Sequence, residues 1–293
     1  MVASTERTCG NCLCNSALTT LDTVPLEVRD DYSPLARIGA EAFGSFALVL
    51  VAVGTLLYVQ LSTVGTLGVA LATGLALAGL TMALGHVSGA HLTPAVSIGA
   101  AITGRVSPLD AVLYVVAQVL GAVAAVAALL VTVPSGLPAG LGAESAAGML
   151  ASTANGWGAG SPLSTLSQGQ VTFGLVPALV IELLASIVVV AVVLANRGRR
   201  SGAVAVGLTF AALLVVAAPV TNGALNPARA TAVALVSAGS GTTALTQLWL
   251  FWLTGLLGGA IAGLAVMAFG RRDVVVEPDP FLEETTEDEQ TVT

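Results

Sequence analysis

Six long apolar stretches follow one another along the chain, with few charged residues between them. Each is close to the roughly 20 apolar residues that a helix needs to cross a hydrocarbon core about 30 Å thick. This pattern predicts an all-α integral membrane protein with six transmembrane helices. The stretches lie near residues 35–58, 66–86, 108–131, 171–194, 202–219 and 245–268.

Two shorter apolar segments, 93–103 and 226–236, interrupt this series. Eleven helical residues at about 1.5 Å each cover only about half of the hydrocarbon core, so these segments can enter the membrane but cannot cross it. Thr93 and Asn226 stand where a helix N-cap is expected, and each is followed by a proline. A cap oxygen accepts an unpaired backbone N–H, and proline lacks one. We therefore expect two re-entrant half-helices, one capped by the Thr93 side chain and the other by the Asn226 side chain.

The two halves of the chain repeat this arrangement. Three spans separate the short segments, so the half-helices enter from opposite faces and their N-termini meet near the midplane. Glu41 at the start of the first span matches Glu182 in the fourth. The sequence predicts an inverted repeat of three spans plus a half-helix, with halves at about 35–131 and 171–270. Loop 132–170, rich in Gly, Ser and Pro, links them, and a loop of this length either folds over something or is mobile.

Composition and charge support a membrane domain flanked by polar tails. Hydrophobic residues make up 55% of the chain and charged residues 9%, with a mean hydropathy of +0.91, which excludes a water-soluble protein. Residues 1–34 carry a net charge of −3 and residues 271–293 a net charge of −6. Residues 35–270 carry +2. We predict cytoplasmic tails at both ends of a membrane domain spanning 35–270.

The arginines predict the orientation. The chain has no Lys, and nine of its ten Arg lie on one side of a six-span model, which predicts that both termini are cytoplasmic. We expect a multi-pass protein embedded in the lipid bilayer of the inner (plasma) membrane. The exception is Arg229, inside an uncharged membrane segment, where a charge is expensive and marks a candidate functional residue.

The three cysteines, Cys9, Cys12 and Cys14, cluster in the N-terminal tail. A structural disulfide is disfavoured in the reducing cytoplasm. Three thiolates could bind a soft metal, but a closed zinc site needs a fourth ligand. We favour incidental thiols, and we predict no metal site, no cofactor and no nucleic-acid partner.

Four strings carry a specific resemblance. They are GHVSGAHLTPAV at 85–96, PVTN at 219–222, NPARATAV at 226–233 and QLWLFW at 247–252. In this order they resemble the aquaporin, or major intrinsic protein, family over about residues 35–270, and its bacterial water-channel branch in particular. The resemblance implies six tilted helices around one pore per subunit, usually in a homotetramer. It also implies a passive channel and not an enzyme.

The charge at the half-helix N-termini also predicts a channel for neutral molecules. Each presents about half a positive charge at its N-terminus, so two opposed N-termini repel cations and protons and leave neutral molecules unaffected. We expect the half-helix caps to be Thr93, Pro94, Ala95, Asn226, Pro227 and Ala228. We expect the pore carbonyls to belong to Gly89, Ala90, His91, Leu92, Asn222, Ala224 and Leu225.

The resemblance places a selectivity filter at Thr73, Leu214, Gly223 and Arg229. Water-specific bacterial relatives have Phe and His at the first two of these positions, so the filter here is wider. The first motif also reads Thr-Pro-Ala instead of Asn-Pro-Ala. Our hypothesis is a channel that conducts water down osmotic gradients and excludes ions and protons. The alternative is a broader channel for neutral solutes such as glycerol or hydrogen peroxide.

Glu41 and Glu182 permit two interpretations. A membrane acid can serve as the proton-coupling site of a transporter. The symmetric placement of the pair favours a structural role, in which each carboxylate accepts N–H groups of a re-entrant loop, as the family resemblance also suggests. For His91, in the first loop, we expect its carbonyl, and not its ring, to face the pore.

Overall fold

The structure, a computed structural model, describes residues 32–196 and 200–269. The regular structure of these residues is helical and confirms the predicted fold class. The α-helices are α1 Pro34–Leu57, α2 Gly65–Leu84, α3 Pro94–Ile102, α4 Pro108–Thr132, α5 Leu137–Gly140, α6 Ala146–Ala151, α7 Pro162–Leu166, α8 Leu175–Ala195, α9 Arg200–Thr221, α10 Pro227–Val236 and α11 Ala244–Phe269. Short 3-10 turns lie at Val59–Leu61 and Gly158–Gly160. The cysteine cluster and most of both tails fall outside the described residues and remain predictions.

Six of these helices, α1, α2, α4, α8, α9 and α11, are long and apolar enough to cross a membrane in the described part of the chain. Their outward faces are apolar, as lipid contact requires; Leu75 on α2 is 65% exposed. The predicted bounds are close to the observed ones except at the fourth span. That helix begins at Leu175 and not at 171, because the backbone is still extended at Gly174.

Serine and proline set the starts of α1 and α4. The Ser33 hydroxyl accepts a hydrogen bond from the Ala36 N–H (3.2 Å), and the Ser107 hydroxyl accepts one from the Asp110 N–H (3.0 Å). A proline follows each cap. Asp110 also lies 3.5 Å from the Arg37 guanidinium, so the two helix starts are tied together on one face of the molecule.

The contacts between helices follow the inverted repeat. Helix α1 packs on α4 as α8 packs on α11, and α2 packs on α1 as α9 packs on α8. Each half-helix crosses to the other half, α3 packing against α11 and α10 against α4. The two halves therefore interlock and share one interior.

Helices α2 and α9, which occupy equivalent places in the two halves, pack against each other. A Cβ atom on Gly74 would collide with the Gly207 carbonyl oxygen, and one on Gly207 with the Gly74 carbonyl oxygen. These glycines are 133 residues apart, the same offset that separates Thr93 from Asn226. The two helices thus touch backbone to backbone at equivalent positions.

The long linker packs over one end of the molecule. Its short helices α5, α6 and α7 lie on the same face as segments 58–64 and 237–243, which we call the loop face. Met149 and Leu150 of α6 are buried in a cluster that includes Val126 of α4 and Val233 of α10. Of the two expectations for this loop, folding over the body of the protein is the one observed.

Replacing Gly74 with Ala should destabilise the protein, because the new methyl group meets backbone that cannot move aside. Overpacking of this kind costs about 1–3 kcal/mol, which lowers a melting midpoint by about 2–4 °C per kcal/mol in a domain of this size. Heating detergent-solubilised protein and measuring the fraction that stays unaggregated by size-exclusion chromatography gives the midpoint. Gly79→Ala is the matched control, because its Cβ has nothing within 4 Å. Equal midpoints for the two variants would contradict the backbone contact.

Candidate functional site

A cavity of about 1160 Å³ opens at the loop face and extends inward to Asn226, directly before α10. Its inner part is lined on one side by apolar residues, among them Leu48 of α1 and Phe210 of α9. Asn222 and Asn226 lie on its polar side. The cavity is therefore an amphipathic passage that ends where the half-helices meet.

Asn226 joins the two half-helices. Its Oδ1 accepts a hydrogen bond from the Ala228 N–H (2.9 Å), so it caps α10 as predicted. Its Nδ2 donates to the Leu92 carbonyl (3.1 Å), at the end of the other re-entrant loop. An amide nitrogen carries two N–H donors, so one remains for another acceptor. The predicted meeting of the two N-termini is present, and one side chain holds it.

Thr93, the equivalent residue before α3, behaves differently. Its side chain makes no cap hydrogen bond, and its buried Oγ1 has no partner among the described residues. Thr93 occupies the N-cap position, as predicted, but the prediction that its side chain caps the helix was wrong. A β-branched side chain has few rotamers, and the rotamer that Thr93 adopts leaves its hydroxyl without a cap hydrogen bond. Helix α3 still begins cleanly, because Pro94 at its first position has no N–H to satisfy.

The re-entrant loops share an unusual backbone conformation. Left-handed φ angles occur in both loops at equivalent positions: 89°, 46° and 55° at Gly89, Ala90 and Leu92, and 65°, 55° and 48° at Asn222, Gly223 and Leu225. Such angles cost about 1–3 kcal/mol at non-glycine residues and persist only where the surroundings enforce them.

Glu41 provides that enforcement for the first loop. Its Oε1 accepts hydrogen bonds from the Ser88 hydroxyl (2.6 Å) and the His91 N–H (2.9 Å). Its Oε2 accepts from the Leu92 N–H and the Gln118 side-chain amide, both at 2.8 Å. The carboxylate, fully buried, thus satisfies two backbone groups that have no helix to join.

Glu182 repeats the arrangement in the second loop. Its Oε1 accepts from the Thr221 hydroxyl (2.5 Å) and the Ala224 N–H (2.9 Å), and its Oε2 accepts from the Leu225 N–H (3.0 Å). Buried polar groups without partners are expensive in a membrane. All the oxygens of both glutamates are engaged with their loops, which is the structural role expected from their symmetric placement.

Arg229 lies in the first turn of α10, is 5% exposed and lines the cavity. Its Nη1 donates to the carbonyl oxygens of Asn222 (3.2 Å) and Gly223. Its Nε is buried and has no hydrogen-bond partner among the described residues. The guanidinium is thereby fixed against the second re-entrant loop, with a positive charge at the cavity wall.

Of the four residues proposed for the filter, Leu214, Gly223 and Arg229 are neighbours, and Thr73 lines the same cavity. Thr73 and Leu214 line the cavity with Arg229. A Cβ atom on Gly223 would collide with the Leu214 side chain, so the glycine allows Leu214 to lie against the loop. The Thr73 hydroxyl donates to the Val69 carbonyl (2.8 Å), which leaves its oxygen lone pairs available.

The backbone N–H of His91 belongs to the hydrogen bonding of the first re-entrant loop, whereas its ring packs against other side chains. The ring packs edge-on against Tyr114, with centroids 5.3 Å apart, and Nδ1 lies 3.2 Å from the Ser97 hydroxyl. The ring is therefore part of the packing around α3. Among the predicted pore carbonyls, those of Leu92 and Asn222 already accept one hydrogen bond each.

Sequence reasoning missed the segment 152–157, which folds back over the second re-entrant loop. The Asn222 side chain donates to the Ser152 carbonyl (3.3 Å) and the Ala154 carbonyl (3.2 Å). Asn155 donates to the Thr221 carbonyl (3.1 Å). An Asn-Gly pair marks a turn at 155–156, but no local pattern indicates what that turn covers.

No group of three or more His, Cys, Asp or Glu side chains suited to a metal ion occurs within residues 32–196 and 200–269. The acids of the interior are occupied by backbone and hydroxyl donors, as described above. The arrangement is that of a passage with fixed donors and acceptors.

Comparisons with known proteins agree with this geometry. The family model described as "Major intrinsic protein" matches residues 30–266, and the chain belongs to that family of membrane channels. It is 38% identical over 233 residues to Aquaporin Z of Rhodopseudomonas palustris, covering 77% of this chain and 89% of that relative. It is also 38% identical over 238 residues to Aquaporin Z of Brucella melitensis, covering 78% and 96%.

The fold has a counterpart among solved structures. The X-ray structure of the aquaglyceroporin from Plasmodium falciparum matches with a TM-score of 0.63 and 21% sequence identity. The match covers 80% of this chain and 96% of that one. At this identity the likeness shows the shared fold.

Replacing Glu182 with Gln should destabilise the protein, because the new NH₂ group cannot accept the hydrogen bonds of the second loop. One buried donor left without an acceptor costs about 1–3 kcal/mol. The melting midpoint in detergent should fall by about 2–4 °C per kcal/mol. Glu144→Gln, at an exposed residue of the linker, is the control and should melt as the wild type does. Two variants with unchanged midpoints would show that the carboxylate does not hold the loop.

Proposed function

We propose that the protein is a passive channel that conducts water down osmotic gradients while excluding ions and protons. The observation that carries this proposal is the junction of the two half-helix N-termini at the inner end of a cavity beside Arg229. The 38% identity to two bacterial relatives named Aquaporin Z supports water as the solute.

Electrostatics explains why such a passage selects for neutral molecules. Two half-helix N-termini together present about one positive charge. At about 4 Å and an effective dielectric constant of about 20, that charge repels a monovalent cation by about 4 kcal/mol. Arg229 adds a full positive charge on the loop-face side. Of the described residues that line the cavity, Glu144 is the one acid, and it lies in the exposed linker.

A water molecule meets none of this repulsion and finds replacement hydrogen-bond partners. The second N–H of Asn226 can donate to its oxygen, and the loop carbonyls can accept its hydrogens. Exchanging one set of hydrogen bonds for another costs little. The half-helix junction is formed by the two cap motifs, Thr93-Pro94-Ala95 and Asn226-Pro227-Ala228. Thr93 contributes a single hydroxyl to it.

A second candidate function, conduction of small neutral solutes such as glycerol or hydrogen peroxide, is favoured by the lining of the cavity. Thr73 and Leu214 place no aromatic ring beside Arg229. The apolar wall, including Leu48 and Val49, offers a surface for the carbon side of a polyol. The opposite wall offers Asn222, Asn226 and Arg229 to its hydroxyls.

We also propose the setting of this channel. The loop face is extracellular, because Arg37 and Arg105 lie at the opposite end of the spans, where cytoplasmic arginines are expected. Arg105 is held there by a hydrogen bond from its Nη1 to the Leu194 carbonyl at the end of α8 (2.7 Å). Both termini are then cytoplasmic in the plasma membrane. The apolar outer faces of the helices contact lipid and the other subunits of a homotetramer.

Stopped-flow light scattering on proteoliposomes tests the proposal. Vesicles are shrunk with an impermeant osmolyte and, separately, with glycerol, against protein-free liposomes. Fast protein-dependent shrinkage in both is expected. Re-swelling in glycerol that exceeds the protein-free rate would support the broader channel. Shrinkage no faster than that of empty vesicles would overturn the assignment as a water channel.

Narrowing the proposed filter should separate glycerol from water. Thr73→Phe places a ring beside Leu214 and Arg229, where glycerol no longer fits but single water molecules do. The ratio of glycerol to water permeability should fall at least about tenfold, which corresponds to a barrier of about 1.4 kcal/mol. Thr66→Phe, the same change at an exposed residue at the mouth of the cavity, is the control. If wild-type glycerol flux is already at background, water flux is compared instead and should survive in Thr73→Phe. Its complete loss would show that the ring leaves no room for a single water molecule, which contradicts the width described for the filter.

A further inference from the structure

Arg229 is a buried cation without an ion-pair partner in the described part of the chain. It is 5% exposed, and no carboxylate there lies within ion-pair distance of its guanidinium. Glu182, the buried acid of the same half of the chain, accepts its hydrogen bonds from the second re-entrant loop instead. Buried charges in proteins are normally paired with an opposite charge. The wall of the cavity at Arg229 is therefore suited to a negatively charged ligand.

One nitrogen of the guanidinium faces the cavity. Nη1 is committed to the Asn222 and Gly223 carbonyls, and Nε is enclosed by protein. Nη2 makes no hydrogen bond within the described residues, and it is not enclosed. Because Arg229 lines the cavity, Nη2 is the nitrogen that a bound molecule can reach. Its two N–H groups are available to the oxygens of an anion, and such charge-assisted hydrogen bonds are strong.

The inner end of the cavity is positive. Arg229 carries one charge, and the two half-helix N-termini together contribute about one more. Among the described residues that line the cavity, the one acid is Glu144, which is exposed to solvent on the linker. Solvent and salt screen an exposed charge far more than a buried one. An anion that enters from the loop face is therefore attracted toward Arg229.

An apolar strip runs along the cavity beside this charge. Leu48, Ala52 and Leu56 lie four residues apart on one face of α1, and all three line the cavity. They extend over about 12 Å of helix. Phe210 and Leu214 of α9 add apolar surface to the same cavity. Its volume of about 1160 Å³ leaves room for an apolar body of several carbon atoms attached to an anionic head.

We propose that the cavity binds a small organic monoanion, a carboxylate or sulfonate with an apolar body, and that the bound anion blocks the channel from the loop face. The oxygens of the head accept hydrogen bonds from Arg229 Nη2, and the body lies against the apolar face of α1. Because the cavity ends at Asn226, such a molecule occupies the cavity and does not pass. The inference goes beyond conduction, since it assigns an inhibitory site to the wide end of the passage.

Three probes separate the head from the body. Hexanesulfonate carries both, and it is fully ionised at neutral pH. Methanesulfonate has the same head without the body, and hexyltrimethylammonium has the same body with the opposite charge. Each is added at equal concentration to both sides of proteoliposomes, so that the orientation of the channels does not matter. Water permeability is measured by stopped-flow light scattering against protein-free liposomes with the same additions.

Hexanesulfonate should block water flux with a half-blocking concentration of about 1–10 mM, as expected for one charge-assisted contact and a partly buried chain. Methanesulfonate should need a concentration at least about tenfold higher, because each fully buried CH₂ strengthens binding about fourfold. Hexyltrimethylammonium should not block. Equal block by the two hexyl compounds, or no block by hexanesulfonate in a channel that conducts, overturns the inference.

Two substitutions locate the site. Arg229→Ala should raise the half-blocking concentration of hexanesulfonate at least about tenfold, relative to the unblocked flux of the same variant. Leu56→Glu, which adds a like charge to the apolar strip away from the re-entrant loops, should do the same and is read by the same criterion if Arg229→Ala does not reconstitute. Leu61→Glu is the matched control, because Leu61 is 54% exposed and does not line the cavity. Block that is as strong in the first two variants as in Leu61→Glu would contradict the site.

A binding measurement keeps this inference separate from the proposed function. Isothermal titration calorimetry of hexanesulfonate into protein in lipid nanodiscs, against empty nanodiscs, reports the site whether or not the protein conducts. Binding that is weakened in Leu56→Glu and retained in Leu61→Glu supports the site. Absence of binding to the wild type overturns it. Wild-type protein that binds the anion but conducts no water contradicts the channel function and leaves no flux for the anion to block.

Discussion

The interior of a membrane offers no water to satisfy backbone groups, and this constraint governs the structure. Each half of the chain places a stretch of non-helical backbone near the midplane, with several residues in left-handed conformations. One buried glutamate per half accepts the N–H groups that these stretches leave over. Without Glu41 and Glu182 these N–H groups would be buried without acceptors, at a cost of about 1–3 kcal/mol each.

The two halves of the scaffold are related by symmetry, and the polar residues of the cavity wall depart from it. The offset of 133 residues that pairs Gly74 with Gly207 also pairs Thr93 with Asn226 and Val96 with Arg229. In the last two pairs only the residues of the second half carry such groups, an amide on Asn226 and a charge on Arg229. The cation and the stronger donor therefore both belong to the half-helix that leads to the loop face, with Arg229 in its first turn and Asn226 at the junction itself.

Much of this architecture follows from the sequence. The six spans are visible as apolar stretches, and the half-helices stand out because they are too short to cross. The repeat of the glutamates follows from the same pattern. Local signals were less informative at Gly174, where the apolar run continues although the helix has not yet begun. At Thr93 a residue type suited to capping is present, but its hydroxyl does not reach the backbone.

The role of segment 152–157 could not be predicted at all. Its position depends on Gln247 and Asn222, which are about 90 and 70 residues away along the chain. Hydrophobic periodicity and turn chemistry describe neighbours in sequence, whereas this wall of the cavity is built from contacts between distant residues. The same reasoning explains why the filter position of Thr73 rested on a family resemblance and not on any pattern around it.

We propose that the half-helix junction passes neutral molecules and repels charge. Water flux and proton flux measured on the same proteoliposomes test it most directly, with a pH-sensitive dye inside the vesicles and an imposed potassium diffusion potential. We expect protein-dependent water flux with proton flux equal to that of empty vesicles. Proton flux that rises in proportion to the reconstituted protein would contradict it.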